Sequence, residues 1–278
     1  MMNSSTLRER SNFSYSFALL PKKKRWAIHA IYDFCRRADD IVDEESGTVE
    51  EKQAKLASLR TEVEHCFQRK RTSLPDYLSD AVLEYRIPLD YFLALIDGVQ
   101  NDLFKTRYET FAELRDYCYA VASIPGLMSI QVFGYEHEQT RDYAIHLGYA
   151  LQLTNILRDI QTDAERGRIY LPAEDLAAFG YDEQSLSAGV YNDAFTSLMQ
   201  FEVARTKEYY GTARSFLPAN DRRSMFPAEI MDRIYFQLLR NIEHAHYNIF
   251  NGRIAVSKSR KIFTALCLWL NSYLPFFQ

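Results

Sequence analysis

The sequence predicts an all-α fold, and three observations support this prediction. The chain has 278 residues but only 10 glycines and 8 prolines, roughly half of the average usage for these two residue types. Its hydrophobic fraction of 47% is enough for a large core. No convincing run of alternating polar and apolar residues, the pattern of a half-buried strand, occurs between the sparse helix breakers. We therefore expect a helical bundle that forms a single domain over residues 1–278.

The helix breakers divide the chain into helical segments, since a helix is expected to end where proline, glycine or a polar cluster interrupts its apolar period. The predicted segments are 22–44, 50–68, 75–104 with an interruption at Pro88, 110–133 with an interruption at Pro125–Gly126, 138–163, 190–216, 226–251 and 257–272. Residues 164–190 contain Gly167, Pro172, Gly180 and Gly189. We expect them to form the longest irregular connection.

The charge of the chain argues against a nucleic-acid partner. The formal net charge is -4 and the isoelectric point is near 5.9, so the strong basic excess of a nucleic-acid-binding protein is absent. Two short basic runs, Lys22–Arg25 and Arg69–Arg71, are typical of solvated helix ends.

The ends of the chain bear on its location. The first residues, MMNSSTLRERSNF, contain no apolar run like that of a signal peptide, and no stretch reaches the ~18 apolar residues needed to span a bilayer. We therefore expect a cytoplasmic protein. Residues 263–278 are aromatic and leucine-rich but are broken by Asn271 and Pro275. We expect a packed terminal helix here, with contact to the inner face of the membrane as the alternative.

Two predicted helices carry paired aspartates. The first reads WAIHAIYDFCRRADDIVDE (26–44) and the second reads AIHLGYALQLTNILRDIQTDAE (144–165), and both are apolar on almost every side. The two aspartates of each pair are four residues apart, so they lie on one helical face. Extended backwards, the two polar faces are Tyr32, Arg36, Asp39 and Asp43 on the first helix and Gln152, Asn155, Asp159 and Asp163 on the second.

These faces predict a metal site and a diphosphate. A single D-x-x-x-D pair is most often solvated surface, but two pairs in the same register repel unless a cation lies between them. Carboxylate and amide oxygens without histidine or cysteine select a hard cation, and Mg²⁺ binds a few carboxylates together with substrate phosphates. We expect Mg²⁺ as the cofactor. Arg36 and Arg158 supply charge for phosphate oxygens, although Arg158 could instead brace an acid.

The remaining composition indicates what the diphosphate carries. No Walker A sequence and no G-x-G-x-x-G loop is present, so a nucleotide diphosphate is not expected. The chain contains 19 tyrosines and 18 phenylalanines. Most of these aromatic side chains are expected to form ordinary core, but an aromatic interior beside a diphosphate site favours a substrate with a hydrocarbon tail.

On these residues the sequence resembles the squalene/phytoene synthase family of head-to-head trans-prenyltransferases. The resemblance runs from about Ser11 to Lys261. The matching stretches are FSYSFALLP (13–21), AIYDFCRRADDIVDE (30–44), YCYAVASIPG (117–126), ALQLTNILRDIQTDAERGRIYLP (150–172) and RIYFQLL (233–239). The resemblance implies the isoprenoid synthase fold with a central apolar cavity, prenyl diphosphate substrates and Mg²⁺.

The resemblance also implies roles for individual residues. The metal would be held by Asp39, Asp43, Asn155, Asp159 and Asp163. Reaction at the diphosphate and cation sites would involve Tyr32, Arg36 and Tyr235. Substrate would be bound by Ser14, Arg36, Asp97, Tyr117, Gln152, Asn155, Arg158 and Arg168.

Two positions depart from the family pattern. Asn12 stands where the family usually has a serine, two residues before Ser14, which puts one phosphate contact in question. Pro125 occupies a position that is usually apolar and not proline, and we expect it to kink a helix that lines the tunnel for the hydrocarbon tail.

Within the family, residues 228–270 resemble the bacterial presqualene diphosphate synthases of squalene and hopanoid pathways. We therefore expect condensation of two farnesyl diphosphates to presqualene diphosphate, with Leu127, Met128 and Phe133 closing the tunnel. No dinucleotide fingerprint is present, so reduction with NADPH is not expected. Phytoene synthase, which joins two geranylgeranyl diphosphates in carotenoid biosynthesis, and dehydrosqualene synthase are the alternatives.

More distant hypotheses fit the aspartates less well. A terpene cyclase or a prenyl diphosphate phosphatase would not be expected to carry two pairs of the form D-x-x-x-D. A non-catalytic helical assembly factor would be expected to have lost aspartates from one pair, and all four are present. The sequence makes no prediction of the oligomeric state.

Overall fold

The computed structural model describes residues 12–44 and 46–273, and in this part helices follow one another through short connections. The helices are α1 (Asn12–Phe17), α2 (Lys22–Asp43), α3 (Val49–Phe67), α4 (Asp76–Glu84), α5 (Leu89–Asn101), α6 (Phe111–Cys118), α7 (Ile124–Phe133), α8 (Gln139–Glu165), α9 (Ala173–Ala178), α10 (Glu183–Ser187), α11 (Asp193–Phe216), α12 (Phe226–His244) and α13 (Lys258–Tyr273). A π-helix (Tyr119–Ser123) joins α6 to α7, and a short 3-10 helix spans Ala219–Asp221. No strand forms in the described residues, which confirms the predicted all-α class.

The two aspartate-bearing helices have mostly different packing partners and share α7. Helix α8 packs along α11 and also contacts α7, α12 and the π-helix. Helix α2 packs against α4, α5 and α7. Both helices therefore contact α7, and buried apolar residues from α2, α7, α8 and α12 join one continuous core. The polar ends of α2 and α8 are held facing one space because the apolar remainder of each helix is fixed in this core.

The long predicted helices agree closely with the structure. Segments 22–44, 50–68 and 138–163 correspond to α2, α3 and α8. Pro88 separates α4 from α5 as expected, and it occupies the cap position before α5. Proline stops the preceding helix because it lacks an N–H donor, and it is well suited to precede a new one.

The irregular connection predicted over residues 164–190 is wrong in part. It contains α9 and α10. The side chain of Asp182 caps α10 by accepting a hydrogen bond from the Ser185 backbone N–H at 2.7 Å. This capping signal is present in the sequence, but a helix of five residues has too few apolar positions to show a period.

Two further boundaries differ from the prediction. Helix α1 was not predicted, and α12 ends at His244 rather than at residue 251. The chain leaves α12 through His246 (φ 51°) and Tyr247 (φ 64°), two residues in the left-handed region without a glycine to mark the turn. A left-handed turn built from bulky residues is uncommon, so the sequence gives no warning of it.

The predicted interruption at Pro125–Gly126 takes the form of a widened turn just before the proline. The π-helix Tyr119–Ser123 leads directly into α7, and the Ile124 backbone N–H bonds to the Tyr119 carbonyl five residues earlier. Proline removes one N–H from the helical ladder, and a π-turn is one way to accommodate the disturbance. The widened turn places residues of the π-helix against α8.

Gly148 of α8 is required for this contact. A Cβ atom at Gly148 would lie 2.5 Å from the Ser123 Cα and 2.7 Å from the Ser123 backbone nitrogen. We expect Gly148→Ala to lower the free energy of unfolding by about 1–3 kcal/mol, because backbone atoms must move to admit the methyl group. Gly211→Ala is the matched control in α11, where a Cβ would meet no atom within 4 Å. Thermal denaturation measures both variants, and an equal change in their melting temperatures would contradict this explanation.

None of the described helices combines the length and the apolar character that a membrane crossing requires. The predicted terminal helix is present as α13, while residues 274–278 of that segment lie outside the described part. Residues 1–11, which include the start of the family resemblance at Ser11, also lie outside it.

Candidate active site

The four paired aspartates line one polar chamber at the facing ends of α2 and α8. The chamber has a volume of about 390 Å³. Its polar lining residues are Asp39, Asp43, Asp102, Tyr117, Gln152, Asn155, Arg158, Asp159, Asp163, Arg166, Arg168 and Tyr170. The structure thus brings together the five predicted metal ligands and five of the predicted substrate-binding residues, which are Asn155, counted in both sets, and Tyr117, Gln152, Arg158 and Arg168.

An apolar cavity of about 330 Å³ adjoins the polar chamber. Its apolar walls come from α1, α2, the π-helix, α7, α8 and α12. Asp39, Gln152 and Asn155 line both spaces and therefore mark the boundary between them. The prediction of a central apolar cavity is confirmed. A molecule with a charged head at the boundary could extend an apolar tail into the cavity.

The predicted residues Tyr32, Arg36 and Tyr235 lie on the apolar side of this boundary, where all three line the cavity. The side chain of Arg36 is 53% exposed and lies 3.5 Å from a carboxylate oxygen of Asp40. Arg36 also lines an outer groove with Asp43. The guanidinium therefore lies between the apolar cavity and the aspartate-bearing end of α2.

Of the three bulky residues expected to close the tunnel, Phe133 alone lines the cavity. Leu127 and Met128 are fully buried in the core instead, because they project from other faces of α7. Pro125 and Gly126 do line the cavity, as predicted.

Two carboxyl groups of the polar chamber have raised pKa values, so that they are partly protonated near neutral pH. Burial in the chamber wall raises the pKa of Asp39 to about 7, and the charges of Asp43, Asp102 and Asp40 act in the same direction. Burial likewise raises the pKa of Asp163 to about 7. Carboxyl groups that resist ionisation at neutral pH indicate an excess of acids for the cations present. A bound divalent cation would relieve this excess.

Arginines compensate part of the acidic charge. Arg158 forms a bidentate ion pair with its neighbour Asp159, in which the Nε–H···Oδ1 distance is 2.7 Å. Arg168 donates to Asp43 at 2.8 Å and so joins the chain after α8 to the end of α2. Arg158 therefore braces an acid, which is one of the two roles that the sequence left open. Its contact with phosphate stays a prediction.

Two buried oxygens of the chamber have no hydrogen-bond partner among the described residues. They are Oδ1 of Asn155 and Oδ1 of Asp102. A buried polar atom without a partner is costly, so an orphaned oxygen in a site is best explained by a ligand. Carboxylate and amide oxygens are suitable donors for a hard divalent cation. The donor set of the chamber thus fits the predicted metal.

The structure places Asp102 in the chamber and leaves Asp97 outside it. Asp97 lies on the outer face of α5, where its carboxylate pairs with Arg60. Asp102 follows the end of α5 and accepts a hydrogen bond from the Tyr117 hydroxyl at 2.9 Å. Burial raises the pKa of Asp102 to about 6. The prediction that Asp97 contacts substrate is therefore not supported by its position.

A signal for Asp102 exists in the sequence. Leu95 and Val99 are buried on the inner face of α5, and Asp102 continues this face at spacings of seven and three residues. Asp97 lies two residues from both Leu95 and Val99, a spacing that places it on the opposite side of the helix. Tyr108, Tyr170 and Arg166 were also missed. They reach the site through loops and stacking rather than through a helical period.

We expect Asp102→Asn to lower turnover by about 10- to 100-fold, as for groups that support a metal or its ligands. The matched control is Asp97→Asn, at the other end of the same short stretch, and it should leave turnover near the wild-type rate. Turnover of both variants is measured as the rate of diphosphate release. The opposite ranking would restore Asp97 to the site and remove Asp102 from it.

A stack of tyrosines walls the chamber next to Asp102. The ring centroids of Tyr117 and Tyr170 are 5.3 Å apart, and those of Tyr108 and Tyr170 are 5.8 Å apart. Burial raises the pKa of the Tyr117 hydroxyl well above its usual value, and the charge of Asp102 acts in the same direction. These hydroxyls are therefore neutral hydrogen-bond donors at physiological pH.

A second group of potential metal ligands, Glu136, His137 and Asp221, lies outside both cavities. The Asp221 carboxylate already accepts hydrogen bonds from Thr140 at 2.5 Å and from the Glu136 backbone N–H at 2.9 Å. It also accepts one from the His137 backbone N–H at 3.1 Å. A carboxylate with this many donors is occupied in joining two segments of the fold.

One predicted residue cannot be placed by its side chain. Ser14 belongs to α1, but its side chain, like that of Asn12, lies outside the described part. Its contact with phosphate stays a prediction.

Comparison with known proteins agrees with the geometry. The family model for squalene/phytoene synthase matches residues 7–260. The chain is 36% identical to 15-cis-phytoene synthase of Synechocystis sp. over 96% of its own length and 83% of that protein. It is also 36% identical to 15-cis-phytoene synthase of Synechococcus elongatus, over 92% of its length and 87% of that protein.

Solved structures show the same fold. A dehydrosqualene synthase in complex with ligand matches with a TM-score of 0.81 at 28% identity, over 96% of this chain and 92% of that one. Squalene synthase HpnC from Alicyclobacillus acidocaldarius matches with a TM-score of 0.78 at 27% identity, over 86% of this chain and 90% of that one. The predicted isoprenoid synthase type of bundle is confirmed.

These relatives overturn the expected subfamily. The chain was predicted to act as a presqualene diphosphate synthase on farnesyl diphosphate, but the curated relatives at 36% identity are phytoene synthases. The prediction rested on the resemblance of residues 228–270, of which only Ala228, Met231 and Tyr235 line the apolar cavity. The tail cavity, which distinguishes the substrates, is lined from helices scattered along the chain.

Proposed function

Since this chain belongs to the squalene/phytoene synthase family of prenyltransferases, we propose that it condenses two geranylgeranyl diphosphates head to head to form phytoene. The observation that carries this proposal is the boundary between the polar chamber and the apolar cavity, lined by Asp39, Gln152 and Asn155. A diphosphate bound at this boundary would place its allylic carbon at the entrance of the apolar cavity. The names of the relatives support the choice of a phytoene synthase over other members of the family.

We assign Mg²⁺ as the metal because the polar chamber contains carboxylates, two amides and no histidine or cysteine among its lining residues. Asp39, Asp43, Asn155, Asp159 and Asp163 would hold it. When bound, Mg²⁺ supplies positive charge that stabilises the departing diphosphate. The ligand set and the identity of the ion are proposals that the experiments in the Discussion address.

The chain's own cations would bind the diphosphate in the same place. Arg158, Arg166 and Arg168 line the polar chamber, and Arg36 lies at the apolar boundary. Fixed positive groups in a site that excludes water stabilise negative charge as it develops on a leaving group. The tyrosine hydroxyls near Asp102 add neutral donors. These residues bind and orient the leaving diphosphate.

The apolar cavity would protect the allylic cation that remains. Tyr32 and Tyr235 line it, and an aromatic face can stabilise a cation by roughly 0.5–2 kcal/mol. The 2,3-double bond of the second substrate attacks the cation, and loss of a proton closes a cyclopropane ring. Conversion of this cyclopropyl diphosphate to phytoene requires the second diphosphate to leave, the cyclopropane ring to rearrange and open, and the resulting cation to lose a second proton, because no hydride is supplied.

A diphosphate oxygen and a tyrosine hydroxyl are the two candidate proton acceptors. Burial raises the pKa of the Tyr117 hydroxyl well above its usual value and opposes the formation of a phenolate. A released diphosphate oxygen, held by the arginines of the polar chamber, is therefore the acceptor that the chemistry favours.

We expect geranylgeranyl diphosphate to be turned over faster than farnesyl diphosphate and to yield phytoene without NADPH. Purified protein with Mg²⁺ is incubated with each substrate, with and without NADPH, and the products are identified by mass spectrometry. Faster conversion of farnesyl diphosphate, or a product that stops at the cyclopropyl diphosphate, would contradict the proposal. Boiled protein with each substrate is the control for spontaneous hydrolysis.

Three further parts of the proposal rest on the sequence. These are a single synthase domain over residues 1–278, a cytoplasmic location and prenyl diphosphates as the substrates in the cell.

A further inference from the structure

Helix α13 presents an apolar face to solvent. Four of its large apolar side chains are exposed, namely Ile262 (48%), Phe263 (69%), Leu266 (45%) and Leu270 (46%). Their spacing places them within an arc of about 100° on one side of the helix. Single exposed apolar residues are normal on a protein surface, but a continuous stripe marks an interaction surface.

The opposite face of α13 is already packed. Helix α13 contacts α12 and α1, and Ala265 is buried on that side. The Lys261 ammonium lies 5.8 Å from the centre of the Tyr15 ring, which also joins α13 to α1. The helix is therefore held against the bundle by one face while its second apolar face is left outward. Packing within the described chain does not explain the exposed stripe.

The charge around the stripe indicates its partner. Residues 244–278 contain no aspartate or glutamate, although the whole chain has a net charge of -4. The same stretch carries Arg253, Lys258, Arg260 and Lys261. Lys258 and Arg260 are exposed, and at 100° per residue they lie on either side of the apolar stripe. A surface that is apolar in the middle and basic at its edges complements an anionic lipid bilayer.

We infer that α13 lies flat on a membrane surface, with Ile262, Phe263, Leu266 and Leu270 inserted among the lipids and with the basic residues at anionic headgroups. The position of α13 also suits an apolar product. Its two supports, α1 and α12, contribute Phe17 and Met231 to the wall of the apolar cavity. Only this product route rests on the proposed function; the binding of α13 to lipid does not.

Flotation with vesicles tests the inference without any substrate. The vesicles are phosphatidylcholine alone or phosphatidylcholine with a minor fraction of phosphatidylglycerol. Wild-type protein should bind the anionic vesicles, and Phe263→Ser/Leu266→Ser should weaken the binding by about tenfold or more. The matched control, Leu83→Ser/Phe104→Ser, removes two exposed apolar side chains elsewhere and should bind like the wild type. Lys258→Gln/Arg260→Gln should reduce the preference for anionic vesicles.

A second measurement does not depend on how the α13 variant folds. The chain has two tryptophans, and Trp269 belongs to α13. In a Trp26→Phe background, vesicles with brominated lipid tails should quench the fluorescence of Trp269. Vesicle binding without this quenching would place the contact on another face and overturn the inference.

Other outcomes also decide the matter. Failure of the wild type to bind vesicles, or equal binding by the Phe263→Ser/Leu266→Ser variant, would overturn the inference. Light scattering provides a further check. If the wild type does not bind vesicles but forms a dimer, and the Phe263→Ser/Leu266→Ser variant is a monomer, the stripe would be a contact with a second copy of the chain instead. These experiments contain no substrate, so their results can be interpreted even if the proposed reaction is not observed.

Discussion

Replacing Asp39 or Asp163 by asparagine is expected to abolish turnover while stabilising the metal-free protein. Both carboxylates line the polar chamber and are proposed metal ligands, and losing the positive charge that a metal supplies at a departing anion is expected to cost at least about 10²–10³-fold in rate. Asparagine preserves the shape of the side chain and removes its charge. The loss of activity would therefore reflect the missing charge rather than a cavity.

The stability change follows from the pKa of the same groups. The pKa of Asp39 in the folded protein is about 7, above its usual value, so the folded state disfavours the ionised acid. The wild type without metal is thus expected to lose stability as the pH rises from about 4, the ordinary pKa of an aspartate, to about 7, and to stay at the lower stability above that. Asp39→Asn removes this loss. Its melting temperature should exceed that of the wild type at about pH 8, and the difference should shrink at about pH 5, where the acid is protonated.

The control for this prediction is Asp33→Asn. Asp33 also belongs to α2, but it faces outward, accepts a hydrogen bond from Tyr77 at 3.2 Å and lines neither chamber nor cavity. It should leave turnover and the pH dependence of melting unchanged. Normal product formation by Asp39→Asn would refute the metal assignment, whereas a lower melting temperature at all pH values would refute the account of charge repulsion.

The sequence predicts the aspartate site well because that site depends on local geometry. The spacing of four residues puts Asp39 above Asp43 and Asp159 above Asp163 in any straight helix. The apolar surroundings of both helices predict a position inside the bundle, and two acid pairs on such helices favour a shared cation. The structure supplies what spacing cannot, namely that the two faces meet in one chamber.

The residues that the sequence misses depend on rotation and on long-range contacts. Asp102 enters the chamber, while Asp97 is turned outward, because the apolar face of α5 sets the rotation of that helix. Tyr170 belongs to the chain after α8, and it reaches the site by stacking on Tyr117. Neither position follows from the pattern of its own segment.

Substrate length was predicted wrongly for a similar reason. The cavity that would hold the tail is lined by residues of α1, α2, α7, α8 and α12, of which Phe17 and Met231 are 214 positions apart in the numbering. The interpretation instead used three neighbouring residues of α7, and two of them, Leu127 and Met128, point into the core. A tunnel assembled from distant segments cannot be measured along one helix.

Removal of divalent metal is expected to stop turnover completely, and Mg²⁺ should restore it. The chamber has five carboxylates but only three arginines among its lining residues, and all three arginines already pair with Asp159 or Asp43. An incoming diphosphate adds further negative charge. Without a divalent cation the substrate would meet a site whose charge opposes it, so both binding and ionisation should fail.

The choice of metal provides a sharper test than removal alone. Zn²⁺ should restore little activity after treatment with EDTA, because it prefers imidazole and thiolate ligands, and no histidine or cysteine lines the described polar chamber. His137→Ala alters the separate group of Glu136, His137 and Asp221, and it should leave the dependence on Mg²⁺ unchanged. Activity is followed as diphosphate release at increasing concentrations of each metal. Full activity in metal-free buffer would contradict the charge argument, and a loss of the Mg²⁺ response in His137→Ala would move the metal site to the second group.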